Sequence, residues 1–144
     1  MEQGGLSSTI PTEIGKLTDL VFIDLDFNEL TGTLSSELLS LSMLTVLDLN
    51  NNQLSGSVNG IGVFPEMAFM QLHANFFTGT IPEAVGTFSN LGAFTLQESS
   101  ISGTMPQSVC DLRAPKGFLT SLIADCRPPN PNIVCSCFTD CRRP

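Results

Sequence analysis

The chain has 144 residues, 42% of them hydrophobic, with 6 basic residues against 14 acidic ones and a net charge of -8. That length is one domain, and so apolar a composition excludes a disordered chain. The charge excludes a nucleic-acid binder, which needs clustered Lys and Arg, and no apolar run approaches the roughly 18 residues of a membrane span.

Met1 runs straight into repeat sequence with no secretory leader, so the chain reads as a mature or truncated form of something longer. A partial unit covers Leu6 to Asp19. Full units run from Leu20 to Met43, Leu44 to Glu66, Met67 to Asn90 and Leu91 to Phe118, and a last strand begins at Leu119. Each unit opens on one column (Leu20, Leu44, Met67, Leu91, Leu119). The second comes three residues on (Ile23, Leu47, Met70, Phe94, Leu122) and the third two further (Leu25, Leu49, Leu72, Leu96, Ala124). The L-x-x-L-x-L alternation predicts a short strand with one buried face.

A polar column follows at Asn28, Asn52 and Asn75, with Ser99 in the fourth place. A buried Asn there can bond backbone groups of its own and the adjacent coil, and Ser99 predicts a weaker ladder in the last unit. Glycines come next, at 32, 56, 79 and 103, spaced 24, 23 and 24 residues apart. Fixed self-similarity at that period means stacked units, and Gly there supplies positive φ or a close backbone approach. Ile10, Leu34, Val58, Ile81 and Met105 follow, with Pro11, Pro82 and Pro106 directly after three of them. A Pro in that place suits the entry to a one-turn helix on the outer face. Leu17, Leu41, Phe64, Phe88 and Leu112 close each unit. One unit alone cannot offset the entropy of ordering its chain, so neighbours must share faces and the ends are vulnerable. The unit from Leu44 is one residue short, which predicts an irregular outer side between Val58 and Pro65.

The segments Asn28-Glu29-Leu30-Thr31-Gly32-Thr33-Leu34, Asn52-Gln53-Leu54-Ser55-Gly56-Ser57-Val58, Phe77-Thr78-Gly79-Thr80-Ile81-Pro82 and Ile101-Ser102-Gly103-Thr104-Met105-Pro106 resemble the plant-type extracellular leucine-rich repeat. Its consensus is L-x-x-L-x-L-x-x-N-x-L-S/T-G-x-I-P-x-x-L/I-G-x-L. The likeness covers about residues 6 to 112, with Ser35 and Asn59 in the Pro place and Ser99 in the Asn place. The tail, from Cys110 through Cys126 to Cys141, is similar to the Cys-rich C-terminal cap of leucine-rich repeat proteins from diatoms and related algae, with Phe138 where that group carries a Cys. The resemblance implies an α/β solenoid: a right-handed superhelix with a concave parallel β-sheet and short 3₁₀ turns on the convex side. It implies a second short-strand column near Thr33, Ser57, Thr80 and Thr104. Residues 1–118 would form the repeats, and 119–144 the last strand and cap. Members of that family are mostly secreted or cell-surface recognition modules.

On such a frame the concave face presents three rows. Phe22, Val46, Phe69 and Ala93 make an apolar row; Asp24, Asp48, Gln71 and Thr95 the next; Asp26, Asn50, His73 and Gln97 the third, with Ser121, Ile123 and Asp125 continuing the face. The expected ligand-binding residues are Phe22, Asp24, Asp26, Asp48, Asn50, Phe69, Gln71, His73, Thr95 and Gln97, facing a protein or glycan. Asp24, Asp26 and Asp48 supply too few oxygens for Ca²⁺, and neither metal nor cofactor is expected. His73 is the only histidine. The sequence lacks G-x-S-x-G, H-E-x-x-H and a paired carboxylate site, so no catalysis is expected.

Cys110, Cys126, Cys135, Cys137 and Cys141 fall in the last 35 residues. Their spacing fits a disulfide cap better than zinc, which implies an oxidising compartment: extracellular, cell-surface or an organelle lumen. Five is odd, leaving one thiol unpaired or bonded to another chain. There is no N-x-S/T sequon. Two other classes stay open. One is a structural subunit of a larger assembly, in an algal lumen or cell wall. The other is ice or mineral binding through the hydroxyl column Thr9, Thr33, Ser57, Thr80 and Thr104.

Overall fold

Strands of two to five residues recur at corresponding places along the coils, the inner column lying where the chain alternates apolar and polar residues. A computed structural model describes residues 5–62, 64–113, 115–126, 132–134, 137 and 140–142. The first coil has β1 (Ser7–Thr9) and a 3₁₀ turn (Thr12–Lys16); the second has β2 (Phe22–Asp24), β3 (Glu29–Thr31) and a 3₁₀ turn (Leu38–Ser40). The third has β4 (Val46–Asp48), β5 (Ser55–Ser57) and a 3₁₀ turn (Val58–Gly60); the fourth has β6 (Phe69–Gln71), β7 (Phe76–Gly79) and a 3₁₀ turn (Glu83–Thr87). The fifth has β8 (Ala93–Thr95), β9 (Ser100–Ile101), β10 (Gly103–Thr104) and α1 (Gln107–Cys110), and then come β11 (Ser121–Asp125), β12 (Ile133–Val134) and β13 (Asp140–Arg142).

Among the described residues these strands form a six-stranded parallel sheet in the order β13-β11-β8-β6-β4-β2. Like positions fall over like: Ile23 faces Leu47, Leu47 faces Met70, Met70 faces Phe94 and Phe94 faces Leu122. All five are buried. Leu49, Leu72 and Leu96 are buried as well, while Leu25, in the second coil, is half-buried and packs on the same core. Phe64 and Phe88 meet edge to face at 5.8 Å inside the stack. Leu6 and Leu17 are 51% and 56% exposed because one side of the first coil has no neighbour among the described residues.

The second strand column begins earlier than expected in two of the coils. β3, β7 and β9 contain Leu30, Phe77 and Ile101, whereas β5 runs from Ser55 to Ser57 and β10 takes in Thr104, so Ser57 and Thr104 lie in strands as expected and Thr33 and Thr80 do not. Backbone pairing decides this: Gln53 N donates to Leu30 O (2.8 Å), Ser55 N to Gly32 O (2.7 Å) and Phe76 N to Leu54 O (2.7 Å). Thr33 joins only as an isolated bridge to Ser55.

The glycine column has φ of +85, +83, +90 and +97°. A Cβ on Gly56 would lie 2.6 Å from Thr33 Cγ2, and one on Gly32 2.8 Å from Thr9 Cγ2. The hydroxyl-bearing column is therefore packed beneath the glycines of the next coil. That contact gives the column a packing reason for its regularity, while its residues stay exposed.

The Asn column joins the coils. Asn52 Nδ2 donates to Leu25 O, Leu49 O and Asn50 O, and its Oδ1 accepts from Leu30 N at 2.9 Å. Asn75 repeats the pattern with Leu49 O, Leu72 O, His73 O and Leu54 N. Asn28 donates to Leu25 O and Asp26 O and accepts from Leu6 N. Ser99 Oγ donates to Leu96 O at 2.6 Å, a single donated bond in place of three.

On the outside, Pro11, Pro82 and Pro106 each stand at the cap residue before a turn. Where Pro is absent, side chains take over. Ser35 Oγ accepts from Leu38 N, and Asn59 Oδ1 accepts from Ser57 Oγ and from Thr80 N of the next coil. The fifth coil turns as a short α-helix, not a 3₁₀ turn. At the C-terminal end Cys110 and Cys137 form a disulfide, and the Arg113 guanidinium donates to Cys137 O. Cys126 is buried and also disulfide-bonded. Cys135 and the side chain of Cys141 lie outside the described residues.

Candidate functional site

In β2, β4, β6 and β8 the middle residue points into the core, so the residues on either side point out. The register stacks Phe22, Val46, Phe69 and Ala93 into one row across neighbouring strands. Phe22 is 56% and Phe69 48% exposed, with Val46 half-buried between them. Val21, which precedes Phe22 in the chain, is also exposed (46%), and its carbonyl accepts from Thr45 N. Sequence columns did not single it out, because it occupies a variable place in the repeat.

The second row places Asp24, Asp48, Gln71 and Thr95 side by side. Asp24 is exposed. Asp48 is half-buried and held from three directions: Gln71 Nε2 donates to its Oδ2 (2.6 Å), while Asn50 N (3.1 Å) and Asn50 Nδ2 donate to its Oδ1. Asp26, in the third row, donates its backbone N to Asp24 Oδ1 at 3.3 Å. Carboxylate oxygens of Asp24, Asp26 and Asp48 lie within 4.8 Å of one another. Desolvation raises the Asp26 pKa, and the charges of Asp24 and Asp48 raise it further. Burial likewise raises Asp48 against the bonds from Asn50. Like charges this close repel, and a cationic group brought to them is attracted by all three. Three oxygens fall short of the six to eight that Ca²⁺ takes, so no metal is assigned here.

His73 is half-buried, with Nδ1 2.8 Å from Thr95 Oγ1. Burial lowers its pKa, and Asp48 and Glu98 only partly oppose that. Its side-chain partner is the Thr95 hydroxyl, which is itself buried.

Three of the expected contact residues are not available to a ligand. Asn50, Thr95 and Gln97 are buried, at 5%, 5% and 9% exposure. Asn50 turns its amide onto Asp48, and Thr95 is engaged by His73. Asp125, expected on the face, is only 2% exposed; its Oδ2 accepts from Ser99 N, and its Oδ1 has no hydrogen-bond partner among the described residues. The accessible face therefore narrows to Phe22, Asp24, Asp26, Val46, Asp48, Phe69, Gln71 and His73, on the N-terminal half of the sheet.

Beside the sheet the chain turns at Phe27, Asn51, Ala74 and Glu98, all with φ between 50 and 56°. The first three border an open hollow of about 530 Å³ also lined by Glu29 and Asn52. No described helix is long and apolar enough to cross a membrane.

Repeated coils with a parallel inner sheet, 3₁₀ outer turns and an amide ladder define a leucine-rich repeat domain. The Leucine Rich Repeat family model matches residues 43–64. Solved structures share the fold. A TDR receptor is 36% identical over 74% of this chain and 18% of its own, with TM-score 0.70. The plant peptide hormone receptor RGFR1, solved in complex with RGF2, is 30% identical over 84% of this chain and 19% of its own, with TM-score 0.74. The Arabidopsis receptor kinase HAESA, solved with the peptide hormone IDA and the co-receptor SERK1, is 25% identical over 83% and 20%, with TM-score 0.74. The chain thus spans about a fifth of the length of these receptors. No curated protein matches it.

Proposed function

We propose that this chain is a non-enzymatic recognition module of a secreted or cell-surface protein, and that it engages a protein ligand through the concave sheet. The observation that carries this reading is the exposed, in-register Phe22–Val46–Phe69 row beside Asp24, Asp26 and Asp48. An apolar strip flanked by oriented polar groups can desolvate a partner and fix its register at once. Protein partners of the similar receptors support it, as does a disulfide that fits an oxidising setting. The residues past 118 belong to this proposal as the closing strand and cap of the repeats.

The test is affinity capture with the oxidised protein. The Phe22→Ala/Asp48→Ala/Gln71→Ala triple variant should lose the captured partner, and Glu13→Gln on the outer turn should keep it. Equal capture by the triple variant would contradict a concave site. A captured glycan in place of a protein would contradict the ligand class.

A further inference from the structure

Resting on that reading, we infer that the segment this face accepts is an extended peptide carrying an aliphatic residue and, two positions away, an arginine or lysine. The occupant follows from charge and spacing. From residue 17 to residue 112 the sequence has no Lys or Arg, so the two coils that carry Asp24, Asp26 and Asp48 supply no Lys or Arg to answer these three clustered carboxylates. Two of them are already aimed. Asp48 is fixed by Gln71 and Asn50, and Asp24 accepts Asp26 N.

The apolar and acidic rows are two residues apart along each strand, Phe22 to Asp24 and Val46 to Asp48. That separation is about 6.7 Å, which is also the distance between same-side residues i and i+2 of an extended peptide. An aliphatic side chain seated on Val46 between the two phenylalanines leaves residue i+2 above Asp24 and Asp48. A guanidinium there meets carboxylates two-pronged, and an ammonium meets them as a point charge. The far half of the face does not extend the site, because Thr95 and Gln97 are buried.

Panning the oxidised chain against a random heptapeptide phage library in 150 mM salt (roughly physiological screening) tests the inference. Recovered sequences should be enriched in an aliphatic residue with Arg or Lys two positions away. Synthetic copies should bind on the order of tenfold more weakly to Asp24→Asn/Asp48→Asn, with a flatter salt dependence. They should also weaken with Phe22→Ser/Phe69→Ser, with thermal melts showing both variants folded. Recovered peptides that depend on Phe22 and Phe69 yet carry no basic residue, or ignore the Asp changes, overturn the cationic assignment and leave the concave site standing. Peptides indifferent to both variants overturn the site as well. Failure to recover any peptide overturns the inference alone.

Discussion

Gly56→Ala tests whether successive coils rest on one another as the glycine column requires. Gly56 has φ +83°, and an added Cβ would stand 2.6 Å from Thr33 Cγ2 of the preceding coil. The left-handed backbone costs an L-residue roughly 1–2 kcal/mol. Forcing a methyl into a filled space costs roughly another 1–3 kcal/mol. The expected loss is about 2–5 kcal/mol, measured by urea unfolding with linear extrapolation. The two causes separate. Thr33→Ser removes the opposing methyl, so in the Gly56→Ala background it should restore about 1–2 kcal/mol and leave the backbone part. Gly62, with nothing within 4 Å of its Cβ position, is the reference, and Gly62→Ala should stay within about 0.5 kcal/mol. If Gly56→Ala were as mild as Gly62→Ala, or Thr33→Ser gave no relief, the stacking of Gly on Thr would be wrong.

Asn52→Ala should cost about 3 kcal/mol, since Leu30 N loses its acceptor and buried carbonyls their donor. Amide exchange at Leu30 should speed up, and Asn28→Ala, nearer the open end, should cost less. Removing the disulfide with Cys110→Ala/Cys137→Ala should cost about 3–4 kcal/mol for its 27-residue separation in urea or thermal melts. Asp125 is buried, its Oδ1 has no hydrogen-bond partner among the described residues, and burial raises its pKa above 3.8. The folded form therefore binds that proton more tightly than the unfolded form, so its stabilising effect is full below pH 3.8 and lost as pH rises through the folded pKa. Asp125→Asn should raise the melting temperature at pH 7 and gain less than the parent on acidification to pH 4.5. An unchanged difference between the two pH values would refute this. His73 works the other way: its lowered pKa gives stability that is full above 6.5 and lost as pH falls through the folded value. His73→Gln should lose less stability on acidification below pH 6.5.

The core was legible because it rests on periodicity. Leu47, Met70 and Phe94 recur at the repeat spacing, and their register follows from it. The glycines were legible for the same reason. What the pattern could not show is how a shared place in the repeat acquires different surroundings along the stack. Asp24 and Thr95 hold equivalent positions, yet one is exposed and the other buried against His73. The left-handed turn at Phe27, Asn51, Ala74 and Glu98 left no trace, since those four side chains have no chemistry in common. There the ladder of backbone bonds between coils sets φ, as where Phe27 N donates to Asn50 O and Ala74 N to Gln97 O. The pairing of Cys110 with Cys137 depends on where the last coil ends, which spacing alone left open.

Photo-crosslinking maps the bound ligand directly. A benzoylphenylalanine placed at Val46, in the middle of the concave row, should form an adduct with a selected peptide, and one placed at Thr87 on the outer turns should form none. Adducts from position 87 with none from position 46 would show that the ligand sits elsewhere and that the exposed Phe22–Phe69 strip is not the recognition surface.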